Sequence, residues 1–189
     1  MSAFRLHLLR HGAPETPGLL MGRSDGVPTR AGINACVDKV NGLDIAAVAT
    51  SDLLRARQAA EAIGRKCALP VLIDPRWREL DFGDWDGLAP SAIEPSAMSR
   101  FWHDPDASPP PGGERWSALV DRVAAAIGAL EHPSTLVVTH GGAMRAALAH
   151  LCGFTQPQLW AFDLSYSALL SLNIWPGSQP SAQIVGLWT

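Results

Sequence analysis

Two short, mostly apolar runs, Phe4 to Leu9 and Leu136 to Thr139, stop abruptly at nearly the same chemical phrase, Arg10-His11-Gly12 in one case and His140-Gly141-Gly142 in the other. Both are short and dominated by aliphatic residues, and each ends at a sharp polar boundary. They read as strands buried on both faces, which calls for a largely parallel sheet covered by helices on either side. Polar residues placed directly after such a strand mark the carboxyl edge of the sheet, where α/β proteins assemble their sites.

The rest of the chain supplies the covering layers. Thr29 can cap a helix through Val40, Ile45 to Thr50 and Val71 to Ile73 read as further strands, and Leu53 to Cys67 carries Leu53, Ala56, Ala60, Ile63 and Cys67 at helical spacing. Residues 90–102 are expected to be helical in part. Glu114 to Leu130 repeats apolar side chains with a period near 3.6, and Ala143 to Leu151 can begin a helix right after the second His-Gly phrase. Residues 167–175 and 182–188 read as two closing strands joined at Pro176-Gly177. Strands alternating with helices predict a three-layer α/β sandwich with a mostly parallel central sheet and helices on both faces. A length of 189 residues suits one domain over 1–189, and the Pro-rich stretch within residues 101–114 reads as an ordered lid or connector inside it.

Charge narrows what the chain can meet. Fifteen Lys and Arg against eighteen Asp and Glu leave a formal charge of −3, so no general positive field draws nucleic acid or an anionic membrane. Any anion must be held by a local cluster of cations. Cys36, Cys67 and Cys152 are far apart and form no C-x-x-C pair, so neither a disulfide framework nor a zinc site is expected, and a cytoplasmic setting fits. Arg5, His7, Arg10 and His11 deny the N-terminal stretch a signal-peptide core. Asn173, Pro176, Gly177 and Pro180 interrupt the uncharged tail well short of a membrane span.

Four segments carry groups that could do chemistry. His11 and His140 are each followed by a glycine that lets a ligand approach the backbone, at two strand ends that can meet. A lone histidine is more often a rim or core residue, but two such phrases with Arg10 beside the first favour a site. Ser51 to Arg57 follows a strand and opens the strongest helix, so Arg55 and Arg57 either add forked hydrogen bonds to an anion at that helix terminus or are solvated helix charges. Trp77 to Gly87 alternates acids with large aromatics. A carboxyl among apolar rings beside a bound phosphate is favoured in its protonated form, as a general acid requires; the plainer alternative is an acidic surface loop anchored by two tryptophans. His7 in mid-strand and His150 late in a helix read as structural. Trp102, His103 and Trp116 flank the Pro-rich stretch, where they either stack on a substrate or pack in the core.

Taken in order, Leu9-Arg10-His11-Gly12, Ser51 to Ala56, Glu79 to Gly87 and Val138-Thr139-His140-Gly141-Gly142 resemble the signature of the histidine phosphatase superfamily, in its phosphoglycerate mutase-like branch, over nearly the whole chain. Within it, Gly22-Arg23-Ser24-Asp25, the Leu80 to Gly87 loop and Pro110 to Glu114 look most like the α-ribazole phosphatases of cobalamin biosynthesis. The resemblance implies a phosphoglycerate mutase-like fold and a metal-independent phosphomonoesterase that needs no cofactor and takes a small-molecule phosphate ester. It further implies that His11 accepts the phosphoryl group as a phosphohistidine, that Arg10, Arg55 and His140 surround the phosphoryl oxygens, and that Glu79 protonates the leaving oxygen and then activates water. Ser24 and Gly141 are expected to help bind substrate.

Ala13 and Pro17 stand where many members carry Glu and Asn. Arg115, where many have Ser, is expected to face water. The alternatives are a phosphoglycerate mutase, disfavoured in a chain whose lysines are Lys39 and Lys66 alone, a broad-specificity sugar or small-molecule phosphatase, and a phosphate-binding module without turnover. Against the last stands the complete set Arg10, His11, Arg55, Glu79 and His140. No metal, nucleic-acid or membrane partner is expected, and the oligomeric state is left open.

Overall fold

The computed structural model describes residues 3–178 and 180–189. Strand β1 (Phe4–Arg10) is followed by α1 (Arg30–Lys39), β2 (Ala47–Thr50), α2 (Leu54–Cys67), β3 (Val71–Ile73), α3 (Pro95–His103), α4 (Trp116–Gly128), β4 (Ser134–Thr139), α5 (Gly141–Cys152), α6 (Gln156–Leu159), β5 (Leu169–Trp175) and β6 (Ser181–Trp188). The strands form one sheet in the order β3-β2-β4-β1-β5-β6. The first four are mutually parallel, and β5 and β6 run antiparallel as the closing hairpin. This is the mixed α/β sandwich expected from the alternation of elements.

The two layers of core follow from the period of a strand. On β1, Leu6 and Leu8 point into a cluster built with α4 and α5, while Leu9 points the other way into one built with Cys36 and Val40 of α1 and Ala56, Ala60 and Ile63 of α2. All three leucines are fully buried, each worth about 1.5–3 kcal/mol relative to exposure. His7, on the same strand, is spent on structure: its Nδ1 lies 2.7 Å from Ser171 Oγ on β5, and burial followed by the nearby Arg5 charge lowers its pKa to about 4.

Local chemistry sets the helix ends. Thr29 caps α1 by accepting from Gly32 N at 3.0 Å. Glu94 caps α3 by accepting from Ser96 N and Ala97 N, so only the second half of the 90–102 stretch becomes α-helix, after a short 3-10 turn at Pro90–Ala92. Cys67, expected on the buried face of α2, is exposed: the close contact of the helix with β3 is at Gly64, against Val71, and Cys67 lies nearly one turn further on. Arg115 is exposed as expected, donating to the Asp106 carbonyl at 2.5 Å and so tying the Pro-rich segment to the start of α4.

Candidate active site

Adjacency in the sheet decides which side chains meet. Strands β1 and β2 flank β4, so the residues that follow these three strands lie side by side at the carboxyl edge: His11 after β1, His140 after β4 and Ser51 after β2. The ring centroids of His11 and His140 are 5.1 Å apart. Gly12 is required here because a Cβ would stand 2.1 Å from the Gly32 carbonyl oxygen, where α1 crosses beneath the loop.

His11 is 5% exposed, and its Nδ1 lies 2.8 Å from the Gly12 carbonyl oxygen. A carbonyl only accepts, so Nδ1 carries the proton of the neutral ring and the lone pair sits on Nε2. Burial, followed by the Arg55 guanidinium, lowers the His11 pKa to about 3, against the opposing Gly12 hydrogen bond. At neutral pH the ring is uncharged. His140 is fully buried and also held neutral, by burial first and then by Arg55. Its Nε2 is 2.7 Å from Ser51 Oγ, while its Nδ1 is buried without a partner among the described residues.

Two guanidiniums approach the histidines. Arg10 donates to the Leu164 carbonyl at 2.6 Å and lies 4.3 Å over the Tyr166 ring, whose centroid is itself 5.5 Å from that of His11. Arg55 is 1% exposed, which rules out the solvated alternative. It donates to the carbonyls of Met21 and Ser24 at 2.6 and 2.8 Å, and Asp86 accepts from the backbone N–H groups of Gly22, Arg23 and Ser24. The 21–24 loop is therefore clamped from both sides. Ser24 enters this clamp through its backbone, and the residue is exposed.

Glu79 reaches the site from the loop after β3. Its Oε2 accepts from Gly142 N at 3.0 Å and its Oε1 from Leu80 N at 2.8 Å. Glycine at 142 lets the carboxylate come this close, since a Cβ would stand 2.0 Å from Glu79 Oε1. The loop is fixed from behind by Arg122, which donates to the carbonyls of Arg76, Arg78 and Glu79 and pairs with Glu114 at 2.7 and 2.8 Å. Thr139 adds a bond to the Trp77 carbonyl.

Beyond Glu79 opens a cleft of about 140 Å³. Arg10, Glu79, Gly141, Trp102, Arg145 and Trp160 are among the residues that line it. Trp116 also borders the cleft; His103 is exposed and is not among its lining residues. A larger cavity of about 680 Å³ lies at the far end of the sheet, against Phe4, His132 and His150, away from every residue above. Among the described residues no group of three or more His, Cys, Asp or Glu is arranged to hold a metal ion, and no helix is long and apolar enough to cross a membrane.

Sequence reasoning found the five groups that converge, and missed the ones that hold them. Asp86 was visible only as one acid among several. Arg122 follows Leu119 by three residues and precedes Val123 and Ala126 on one helical stripe, so a cation on a buried face was the available signal. Tyr166 and Arg145 gave none, because only the fold brings them to this edge.

The family model for the histidine phosphatase superfamily (branch 1) matches residues 6–184. Adenosylcobalamin/alpha-ribazole phosphatase of Escherichia coli (strain K12) is 28% identical over 182 residues, covering 90% of each chain. A Proteus mirabilis protein named probable phosphoglycerate mutase GpmB is 30% identical over 163 residues, covering 79% of this chain and 75% of that one. The crystal structure of the alpha-ribazole phosphatase from Shigella flexneri superposes with a TM-score of 0.82 at 26% identity, over 98% of this chain and 96% of that one.

Proposed function

The chain belongs to the histidine phosphatase superfamily, and from that premise we propose a metal-independent phosphomonoesterase that works through a phosphohistidine on His11. The observation that carries the reading is the hydrogen bond from His11 Nδ1 to the Gly12 carbonyl, which leaves Nε2 free on a buried, neutral ring beside Arg10, Arg55 and His140.

In the first step Nε2 attacks phosphorus and the bond from phosphorus to the ester oxygen breaks, while Glu79 gives its proton to the departing alcohol oxygen. In the second, water attacks the phosphohistidine, Glu79 takes a proton from that water, and the P–N bond breaks to release phosphate and neutral His11. Splitting one displacement into two needs an uncharged nucleophile, which burial provides. Arg10 and Arg55 match the charge that spreads over the phosphoryl oxygens in a loose transition state, and His140 can add an N–H from Nδ1 if Ser51 donates to Nε2. Ser24 and Gly141 would bind substrate through the backbone, Ser24 in the clamped loop and Gly141 beside Arg10 in the cleft lining.

Which alcohol leaves depends on the cleft. Its aromatic walls suit the flat base of α-ribazole 5′-phosphate, the ester in the names of two relatives, and the segment over residues 101–114 would act as its lid. The test is phosphate release, after chelator treatment, from α-ribazole 5′-phosphate, p-nitrophenyl phosphate and 3-phosphoglycerate, with His11→Ala as the blank. Turnover that depends on His11 and survives the chelator is expected; a metal requirement, or release by the blank, would sink the mechanism.

A further inference from the structure

Tyr166 is the one tyrosine of the chain, and the mechanism above gives it no task. Strand β5 runs antiparallel to β1, so the turn that enters β5 lies at the carboxyl edge, beside Arg10 and His11. That turn, residues 164–168, grips both of them. The Leu164 carbonyl accepts from Arg10 Nη1 at 2.6 Å, the Ala168 carbonyl accepts from Arg10 N at 2.9 Å, and Ser167 N donates to the His11 carbonyl at 3.2 Å. Ser167 makes its bond at φ 62°, in the left-handed region that a residue with a Cβ seldom enters. An unfavourable backbone conformation persists only where its surroundings enforce it, and here it sits between the ring of Tyr166 and the first residue of the β1–β5 register.

The half-buried Tyr166 ring has Arg10 Cζ 4.3 Å from its centroid and the His11 ring 5.5 Å away at a tilt of 51°. Arg10 has little else to orient it. No carboxylate among the described residues is within ion-pair distance of it, and its Nε is buried without a partner. One carbonyl and one aromatic face therefore set the plane of the guanidinium. An aromatic face attracts the cation without consuming its in-plane N–H groups, so the stack orients the fork and leaves the other donors for phosphoryl oxygens. His11 is placed in a similar way: the Gly12 carbonyl holds its Nδ1 edge, and the rings of His140 and Tyr166 stand against it at 5.1 and 5.5 Å. Tyr166 is the side chain that touches the nucleophile and its neighbouring cation at once.

We propose that Tyr166 is a positioning residue for phosphoryl transfer: its ring face fixes the plane of the Arg10 guanidinium and backs the His11 ring, so that Nε2 and the free Arg10 donors converge on one phosphoryl group. The inference rests on the phosphatase reading and adds a residue to its machinery. Because Tyr166 acts through Arg10 and His11, its contribution belongs to the phosphoryl group and is the same for every ester. It also belongs to the ring face and not to the hydroxyl. The hold of an aromatic face on a partly desolvated cation corresponds to about 3- to 30-fold in rate.

The experiment measures kcat and KM on p-nitrophenyl phosphate and glycerol 3-phosphate for Tyr166→Leu and Tyr166→Phe, with melting curves to establish that both fold. Tyr166→Leu is expected to lower kcat by about 3- to 30-fold on both esters with KM little moved, and Tyr166→Phe to stay within about threefold of wild type. A third protein separates orientation of the cation from plain packing, and it nearly preserves the shape of the ring should the leucine variant not fold. Since the chain has a single tyrosine, biosynthetic incorporation of 3-fluorotyrosine alters this ring alone. Fluorine draws electron density from the ring face and weakens its hold on a cation, so kcat should fall by about twofold near pH 6, where the phenol stays protonated. Wild-type kcat in the leucine or fluorotyrosine protein, a loss confined to one ester, or a phenylalanine variant as slow as the leucine one overturns the inference, while wild-type turnover preserves the phosphatase reading. Absence of His11-dependent release from both esters in the wild-type protein overturns that reading, and the inference with it.

Discussion

The phosphoryl end of the site and the cleft beyond Glu79 are built by different means. At the phosphoryl end, His11, Arg55 and His140 are all at most 5% exposed, and each follows directly, or within a few residues, the end of a strand in the parallel part of the sheet. Their positions are inherited from strand pairing. The cleft draws Trp102 from α3, Arg145 from α5 and Trp160 from just after α6, and both tryptophans remain 40% or more exposed. A phosphoryl group is the same in every ester, so a rigid receptor serves it; the alcohol varies, and a wall of separate helices can change without disturbing the sheet.

That division orders the expected effects. The largest follows from His11→Ala, which removes the nucleophile and should cut turnover on the order of 10⁴-fold or more on every ester alike, with no phosphoenzyme trapped by acid quench. A loss confined to one ester would break the division, because it would make His11 part of alcohol recognition. Glu79 sits at the border and should behave differently. Glu79→Gln is expected to cost about 10²–10⁴-fold on alkyl phosphates, and much less on p-nitrophenyl phosphate, whose leaving phenolate needs little help from an acid. Equal losses on both esters would mean that Glu79 serves the phosphoryl group and not the leaving oxygen.

The same contrast explains what could be read from the sequence. The phosphoryl end was legible because each of its groups is tied to a local pattern: an apolar run that stops at Arg10-His11, another that stops at His140, and a helix opening at Leu54 with Arg55 in its first turn. Glu79 was legible as a carboxylate among tryptophans, but the reason it stays in place was not, since Arg122 arrives from a helix 43 residues further along the chain. Asp86 likewise acts across more than 60 residues of sequence to hold the 21–24 loop. The fold was readable at the level of alternating elements, whereas capping by Glu94 set where α3 begins and the close contact at Gly64 left Cys67 off the buried face of α2. The cleft was only half visible: Trp102 and Trp116 stood out beside the Pro-rich stretch, whereas Trp160 and Arg145 lay on segments with no marking of their own.

A subtler probe moves the acid without deleting it. In Gly142→Ala the new methyl would stand 2.0 Å from Glu79 Oε1, the far end of a flexible side chain, so the carboxylate can swing away while the backbone of α5 stays put. The bond from Gly142 N to Oε2 is expected to break, and a misplacement of about an ångström to cost up to roughly 10²-fold in kcat. The melting temperature should change little. As with Glu79→Gln, the loss should be greater for glycerol 3-phosphate than for p-nitrophenyl phosphate. A variant that loses stability but keeps kcat would show that Gly142 serves packing and leaves the acid where it was.

The smallest effect is one of acid on stability, and it probes the buried, sheet-borne side of the comparison without touching the cleft. His7 and His11 titrate near 4 and 3 in the folded protein, against 6.5 for an unperturbed imidazole, chiefly because burial disfavours the charged ring. As pH falls below about 6.5 the unfolded chain takes up these protons and the folded one does not, so stability falls with pH and levels off for His7 below about 4 and for His11 below about 3. Asp52, Asp74, Asp81 and Asp106 have values depressed from 3.8 and Glu94 from 4.5, so their contribution is lost mainly below those values, and the interval from about pH 6.5 to 5.5 isolates the histidines. Melting temperature should decline across it, and less steeply in His11→Gln. A flat melting temperature would mean that the histidines are not held neutral by the fold.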